Sequence, residues 1–214
     1  MQINAKKTKL MLFNPCKSKD FHPQFNLGEK DLEYVEEMKL LGVLIRTDLK
    51  WHSNTEFMVN KAYKKLWMLK RLQILGASTS DILEVYTKQI RSLIEVAVPV
   101  WQGALAKIEK NTIERGQKCA LHIILGNKYV SYATALNTLN LEDLETRREK
   151  ICLNFALKAT KSEKFSIWFT KNQKSNTRFK KTYHESFSKH ERYKKPPLNH
   201  LTTVLNEHHR KNKK

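Results

Sequence analysis

The chain has 214 residues, enough for one large domain or two small ones, and carries 40 Lys and Arg against 21 Asp and Glu, a net charge of +19. Its three scattered cysteines, Cys16, Cys119 and Cys152, argue against a disulfide framework and for reduced intracellular thiols; no apolar stretch reaches the ~18 uninterrupted residues of a membrane helix, and nothing resembles a signal peptide. A surface this basic attracts polyanions, with nucleic acid the first expectation and an anionic membrane surface the alternative.

In chain order, Lys9–Phe13 is an apolar, strand-like stretch stopped by the turn signal Asn14-Pro15. Phe25, Leu27, Leu32 and Val35 suggest short strands around Gly28. The run Leu40–Ile45 has the length of a buried strand, with Gly42 inside it as a bulge or a close backbone approach. From residue 53 the period turns helical. Ser53 or Asn54 is placed to cap a helix whose apolar face is Phe57, Ala62, Leu66, Leu69 and Leu72, ended by Gly76. A second helix starts at Ser78 or Thr79 and runs through Leu93, with Pro99 as an interruption. A third spans about Ala106–Leu125 and is closed by Gly126, a fourth covers about Ser131–Leu139, and a fifth about Glu142–Lys161. Beyond residue 170 the periodicity fails. Residues 170–214 hold 13 Lys and Arg against 3 Asp and Glu, and Pro196-Pro197 breaks the stretch further, which predicts a largely disordered basic tail. The expected fold class is α+β, mostly α: a short antiparallel β piece (1–50), a helical bundle (51–170) and the tail (171–214).

The sequence offers no recognisable catalytic constellation. It has no Asp-Asp pair, no His-Glu-x-x-His, no C-x-x-C, no G-x-S-x-G elbow, and its six glycines stand singly rather than in a phosphate loop. His184, His190 and the pair His208-His209 lie in the basic tail and read as solvated. The basic residues say more. Lys61, Lys64 and Lys65, with Arg71 nearby, lie close together around the helix axis; they make either a solvated lysine face or a helix that tracks a phosphate backbone. Arg147-Arg148 could fork phosphates or pair with Glu145 or Glu149. Trp51, Trp67, Trp101 and Trp168 could stack on bases, with Trp67 and Trp101 reading as core.

Six stretches in order carry a resemblance: "INAKKTKLMLF", "MKLLGVLIRTDLKWHSN", "KAYKKLWMLKRL", "VYTKQIRSLIEVAVPVW", "QKCALHIILG" and "YVSYATALNTLNLEDLETRREKICLNFALK". Together, over about residues 3–170, they resemble the end of the palm, the thumb and the following region of non-LTR retrotransposon reverse transcriptases, in the LINE or jockey-like style. The resemblance implies that Lys7 matches the palm lysine that assists proton transfer to the leaving pyrophosphate. It places Leu41 and Gly42 in the primer-grip strand, and it makes the helices from 54 to 169 a clamp on the template–primer duplex, with Lys61, Lys64, Lys65 and Arg71 as backbone contacts; Arg147 and Arg148 stay candidate nucleic-acid contacts on their pattern alone. The family's catalytic aspartates, including a Y-x-D-D hairpin that holds magnesium, are absent from this sequence and would lie before Met1. Val96 stands where the family usually has tyrosine, and Gly116 where it usually has an apolar residue.

The expectation is therefore a C-terminal portion of an RNA-directed DNA polymerase that is not an enzyme alone, with no cofactor of its own (Mg2+ belonging to the intact parent). It would bind RNA, DNA or their hybrid but no membrane, inside the cell, in nucleus or cytoplasm. The alternatives are an independent basic nucleic-acid-binding helical protein, and a relative of the N-terminal domain of AlkB-type tRNA methyltransferase homologues.

Overall fold

The computed structural model describes residues 4, 8–13, 24–27, 30–172, 181–186 and 196–212. The chain divides into two compact units, Met1–Phe57 and Met58–Lys214.

Among its described residues the first unit holds three two-stranded ladders. Strand β2 (Asn26–Leu27) is antiparallel to β3 (Lys30–Asp31), and β5 (Glu37–Leu40) is antiparallel to β6 (Val43–Arg46). The expectation of an antiparallel piece is corrected at β1 (Lys9–Leu10), which runs parallel to β4 (Glu33–Tyr34). The chain between β1 and β4 exceeds the dozen or so residues that a parallel crossover requires, and a Lys9–Glu33 ion pair forms across the ladder.

The apolar run Leu40–Ile45 is not one strand. Leu41 and Gly42 form the turn of the β5–β6 hairpin, with φ of 48° and 90°. Two left-handed residues give a two-residue turn the twist that its strands need. Gly42 adopts this backbone freely, whereas Leu41 does so under strain with its side chain 93% exposed. The first helix, α1 (His52–Ile74), begins before the expected caps. Asn54 is buried instead, and its Oδ1 accepts a hydrogen bond from the Leu44 amide at 3.1 Å, tying the helix start to β6.

The second unit is helical. From Met58 onward, α1 buries Met58, Val59, Ala62, Leu66 and Leu69 along one stripe. Ser78 caps α2 (Thr79–Val85), which continues through a π-helical segment, Tyr86–Arg91, into α3 (Ser92–Ile94). The interruption falls at Ala97, in the left-handed region with φ 51°; Pro99 sits in the first turn of α4 (Val98–Trp101), where its missing N–H has no intrahelical partner to lose. A 3-10 turn, Gln102–Ala104, leads to α5 (Lys107–Leu125), whose buried Ile113, Gln117, Ala120, Leu121 and Ile124 make it the centre of the bundle. Gly126, at φ 53°, ends α5 and opens the 3-10 turn Gly126–Lys128. Ser131 caps α6 (Tyr132–Thr138) and Asp143 caps α7 (Leu144–Lys161); their side chains accept from the amides of Thr134 and Thr146.

The expected disordered tail is corrected where the structure describes it. Residues Pro197–Lys211 form a helix, α8, packed on α7, α4 and the Gln102–Ala104 turn. Proline is favoured at a first helical position, so Pro196-Pro197 starts a helix rather than breaking one, and Leu201 and Leu205 bury its inner face. Gly103 permits this docking: a Cβ there would fall 2.4 Å from the Cβ of His200. Upstream, Lys171 pairs with Tyr183, and Asn206 of α8 grips Tyr183 through both its backbone N–H and C=O, at 2.9 and 3.0 Å.

Candidate nucleic-acid interface

Helix α1 carries Lys61, Lys64, Lys65, Lys70 and Arg71 with Glu56 as its one acidic residue. Its inner stripe fixes which of these meet solvent. Lys64, Trp67 and Arg71 follow one another at helical spacing on the side away from Leu66 and Leu69, flanked by Tyr63 and Ile74. Trp67 is therefore not core: it stands 65% exposed between two cations, while Trp101 is completely buried. The indole of Trp101 donates to the Val96 carbonyl at 2.8 Å. Lys61 is exposed on the flank. Lys65 is half-buried and turns back, its Nζ 3.4 Å from the carbonyl oxygen of Gln89. Among the described residues no carboxylate pairs with Lys61, Lys64 or Arg71. The face thus combines uncompensated positive charge with an accessible aromatic plane, the two components used to hold a nucleic-acid strand.

Of the other sequence-predicted residues, Arg147 and Arg148 do not join this face. Lys7 lies outside the described residues. Leu41 and Gly42 form a hairpin turn of the first unit. Arg147 spans the Glu95 carboxylate, with Nη2 donating to Oε2 at 3.2 Å and Nε to Oε1, and that pairing holds its guanidinium above the usual value. Arg91 approaches the same carboxylate at 3.6 Å. Arg148 is fully buried: its Nε donates to Gln102 Oε1 at 2.7 Å, and among the described residues no atom accepts from Nη1 or Nη2. Burial pushes its pKa down, against the pull of Glu114, Glu145, Glu149 and Asp143. Arg148 is withdrawn from any phosphate, because its position on α7 points into the bundle. Other cations of α5 and α7 are also taken, Lys110 by Glu145 and Lys150 by Glu142.

Several residues of the quoted motifs build one polar network. The Tyr86 hydroxyl donates to Gln117 Oε1 at 2.6 Å; Gln117 Nε2 donates to the Tyr132 hydroxyl and the Glu142 carbonyl, both at 2.9 Å; and Tyr132 donates to Glu114. Burial raises both phenols. These residues pin the π-helical segment, α5, α6 and the start of α7 together, a structural role. A second chain runs from Arg148 through Gln102 to Glu149 Oε1 at 3.0 Å, with His200 Nε2 of α8 at 3.2 Å from Glu149 Oε2. Burial alone would raise Glu149, but its contacts with His200 and Gln102 outweigh that and hold the carboxyl below its ordinary value. Burial pushes the Cys152 thiol up to about 12.

The sequence pattern did not single out Tyr63 or Lys70, and it favoured the core for Trp67, which the structure exposes. The signal was present, since Trp67 falls well off the phase set by Ala62, Leu66 and Leu69. Among the described residues no group of three or more His, Cys, Asp or Glu is placed to hold a metal, and no helix is long and apolar enough to cross a membrane. No family model, no curated protein and no solved structure matches the chain.

Proposed function

We propose that this chain binds the sugar–phosphate backbone of RNA, DNA or an RNA–DNA hybrid through the outward face of α1, as a thumb-like region of a non-LTR retroelement reverse transcriptase. One observation carries the binding reading: Lys64, Trp67 and Arg71 share an exposed helix face, and among the described residues no carboxylate neutralises either cation. The retroelement assignment is supported by the order of the six sequence stretches. No catalytic residue is assigned to this chain, and DNA synthesis by the chain alone on a primed template would overturn that part.

Lys61, Lys64, Lys70 and Arg71 could each displace a counterion, so affinity for a labelled hybrid should fall with salt along a log–log slope of about −3 to −4. Binding should be nearly independent of base sequence. An affinity indifferent to salt would overturn the proposal.

A further inference from the structure

Beside the basic face, where α1 meets the turn after α5, lies an open cleft of about 660 Å³. That falls within the roughly 300–1,000 Å³ of small-molecule sites. Its chemistry is one-sided. Lys70 and Lys128 supply positive charge, and among the described residues no carboxylate lines it. Gln73 and Asn127 add amides, and His122 and Tyr129 bring two rings with centroids 4.9 Å apart, tilted by 54°.

Part of this wall is held in place. Lys70 Nζ donates to Gln73 Oε1 at 3.2 Å. Gln73 in turn lies so close to Gly126 that a Cβ there would sit 2.7 Å from its Nε2. Gly126 also has φ 53°, so both the space and the backbone conformation call for glycine. Lys70 lies about 100° around the α1 axis from Arg71, so a backbone leaving the Lys64–Trp67–Arg71 face crosses one flank of the helix to reach the cleft.

We propose that the cleft takes a single unpaired nucleotide of the bound strand, with its phosphate on Lys70 and Lys128 and its base against the Tyr129–His122 rings. Cations alone would hold any small anion. The adjoining aromatic pair and the two amides select a base as well, since stacking on an aromatic side chain tolerates every base and amides can bond its edge. The assignment rests on the reading of the α1 face, which supplies the rest of the strand.

The test compares, by fluorescence anisotropy with the full chain, a blunt RNA–DNA hybrid and the same hybrid with a short single-stranded overhang. The wild type should bind the overhang about five- to tenfold more tightly. Tyr129→Ala should abolish that preference and leave blunt affinity unchanged, whereas Tyr129→Trp should retain it. Inorganic phosphate at millimolar concentration should not erase it. Blunt binding with no overhang preference, a preference that survives Tyr129→Ala, or full competition by phosphate would each overturn the nucleotide assignment and leave the α1 reading standing. Loss of salt-sensitive binding to both probes would overturn the two together.

Discussion

Helices α1 and α7 carry equally suggestive basic clusters, and the fold treats them in opposite ways. On α1, Lys64 and Arg71 lie across the axis from Leu66 and Leu69, and among the described residues no acidic side chain is placed to meet them. On α7, Arg148 is in phase with Leu144 and Cys152, so the apolar stripe carries it inward, while Arg147 finds Glu95. A basic pair in a sequence therefore says little until its phase relative to the buried stripe is known, along with the carboxylates the fold brings across from other helices. Glu95 lies 52 residues from Arg147, a separation that no local pattern reveals.

Five variants would break or sharpen this contrast. The largest effect is expected from charge reversal on α1. Lys64→Glu with Arg71→Glu should weaken hybrid binding by at least tenfold at about 0.1 M salt and make the salt slope shallower by about two. Arg148→Met, which replaces a buried cation by an apolar side chain of similar length, should leave affinity unchanged in the same titration. Equal losses from both would erase the distinction between the helices.

Next in size, Glu95→Gln removes the charge that Arg147 and Arg91 share. It should cost about 2 kcal/mol of stability in denaturant melts, without changing the salt slope of binding. A change in slope would mean that this arginine pair also serves the ligand.

A smaller effect concerns pH. Glu149 is held below its ordinary carboxyl value, so the ionised form is favoured in the folded state. Its contribution is complete above the unfolded value near 4.5 and is lost as pH falls through the lowered folded value. Limited proteolysis should therefore release α8 progressively on acidification below that point. Glu149→Gln should flatten this dependence, and an unchanged profile in that variant would place the titrating group elsewhere.

The smallest effect is expected at Gly116, buried in the middle of α5. A Cβ there meets only Ile94 Cδ1 at 3.9 Å, an ordinary contact. Gly116→Ala should stabilise by about 0.5–1 kcal/mol, seen as a rise in Tm, with binding unaffected.

Much of the helical unit was legible in the sequence because its boundaries carry their own chemistry. Ser78, Ser131 and Asp143 each cap the helix that follows, and Gly126 closes α5. The misread elements depend on partners remote in sequence. Gly42 looked like a bulge because the hairpin that makes it a turn residue requires knowing that Leu40 faces Val43. Helix α8 was hidden because its buried Leu201 and Leu205 sit in a strongly polar stretch, and the surface that covers them comes from α7 and the turn at Gly103. On the candidate interface, Lys64 and Arg71 were legible from charge and spacing, whereas the exposure of Trp67 and the burial of Arg148 follow from packing.

The most direct test of the α1 face follows the tryptophan indole resonances by NMR during titration with an RNA–DNA hybrid. Trp67 stands between Lys64 and Arg71 on the exposed side of α1, and Trp101 is sealed in the core. The account predicts a salt-sensitive shift of the Trp67 indole, accompanied by the backbone amides from Lys64 to Arg71, with the Trp101 indole unmoved. A hybrid that binds and leaves Trp67 unperturbed would contradict it.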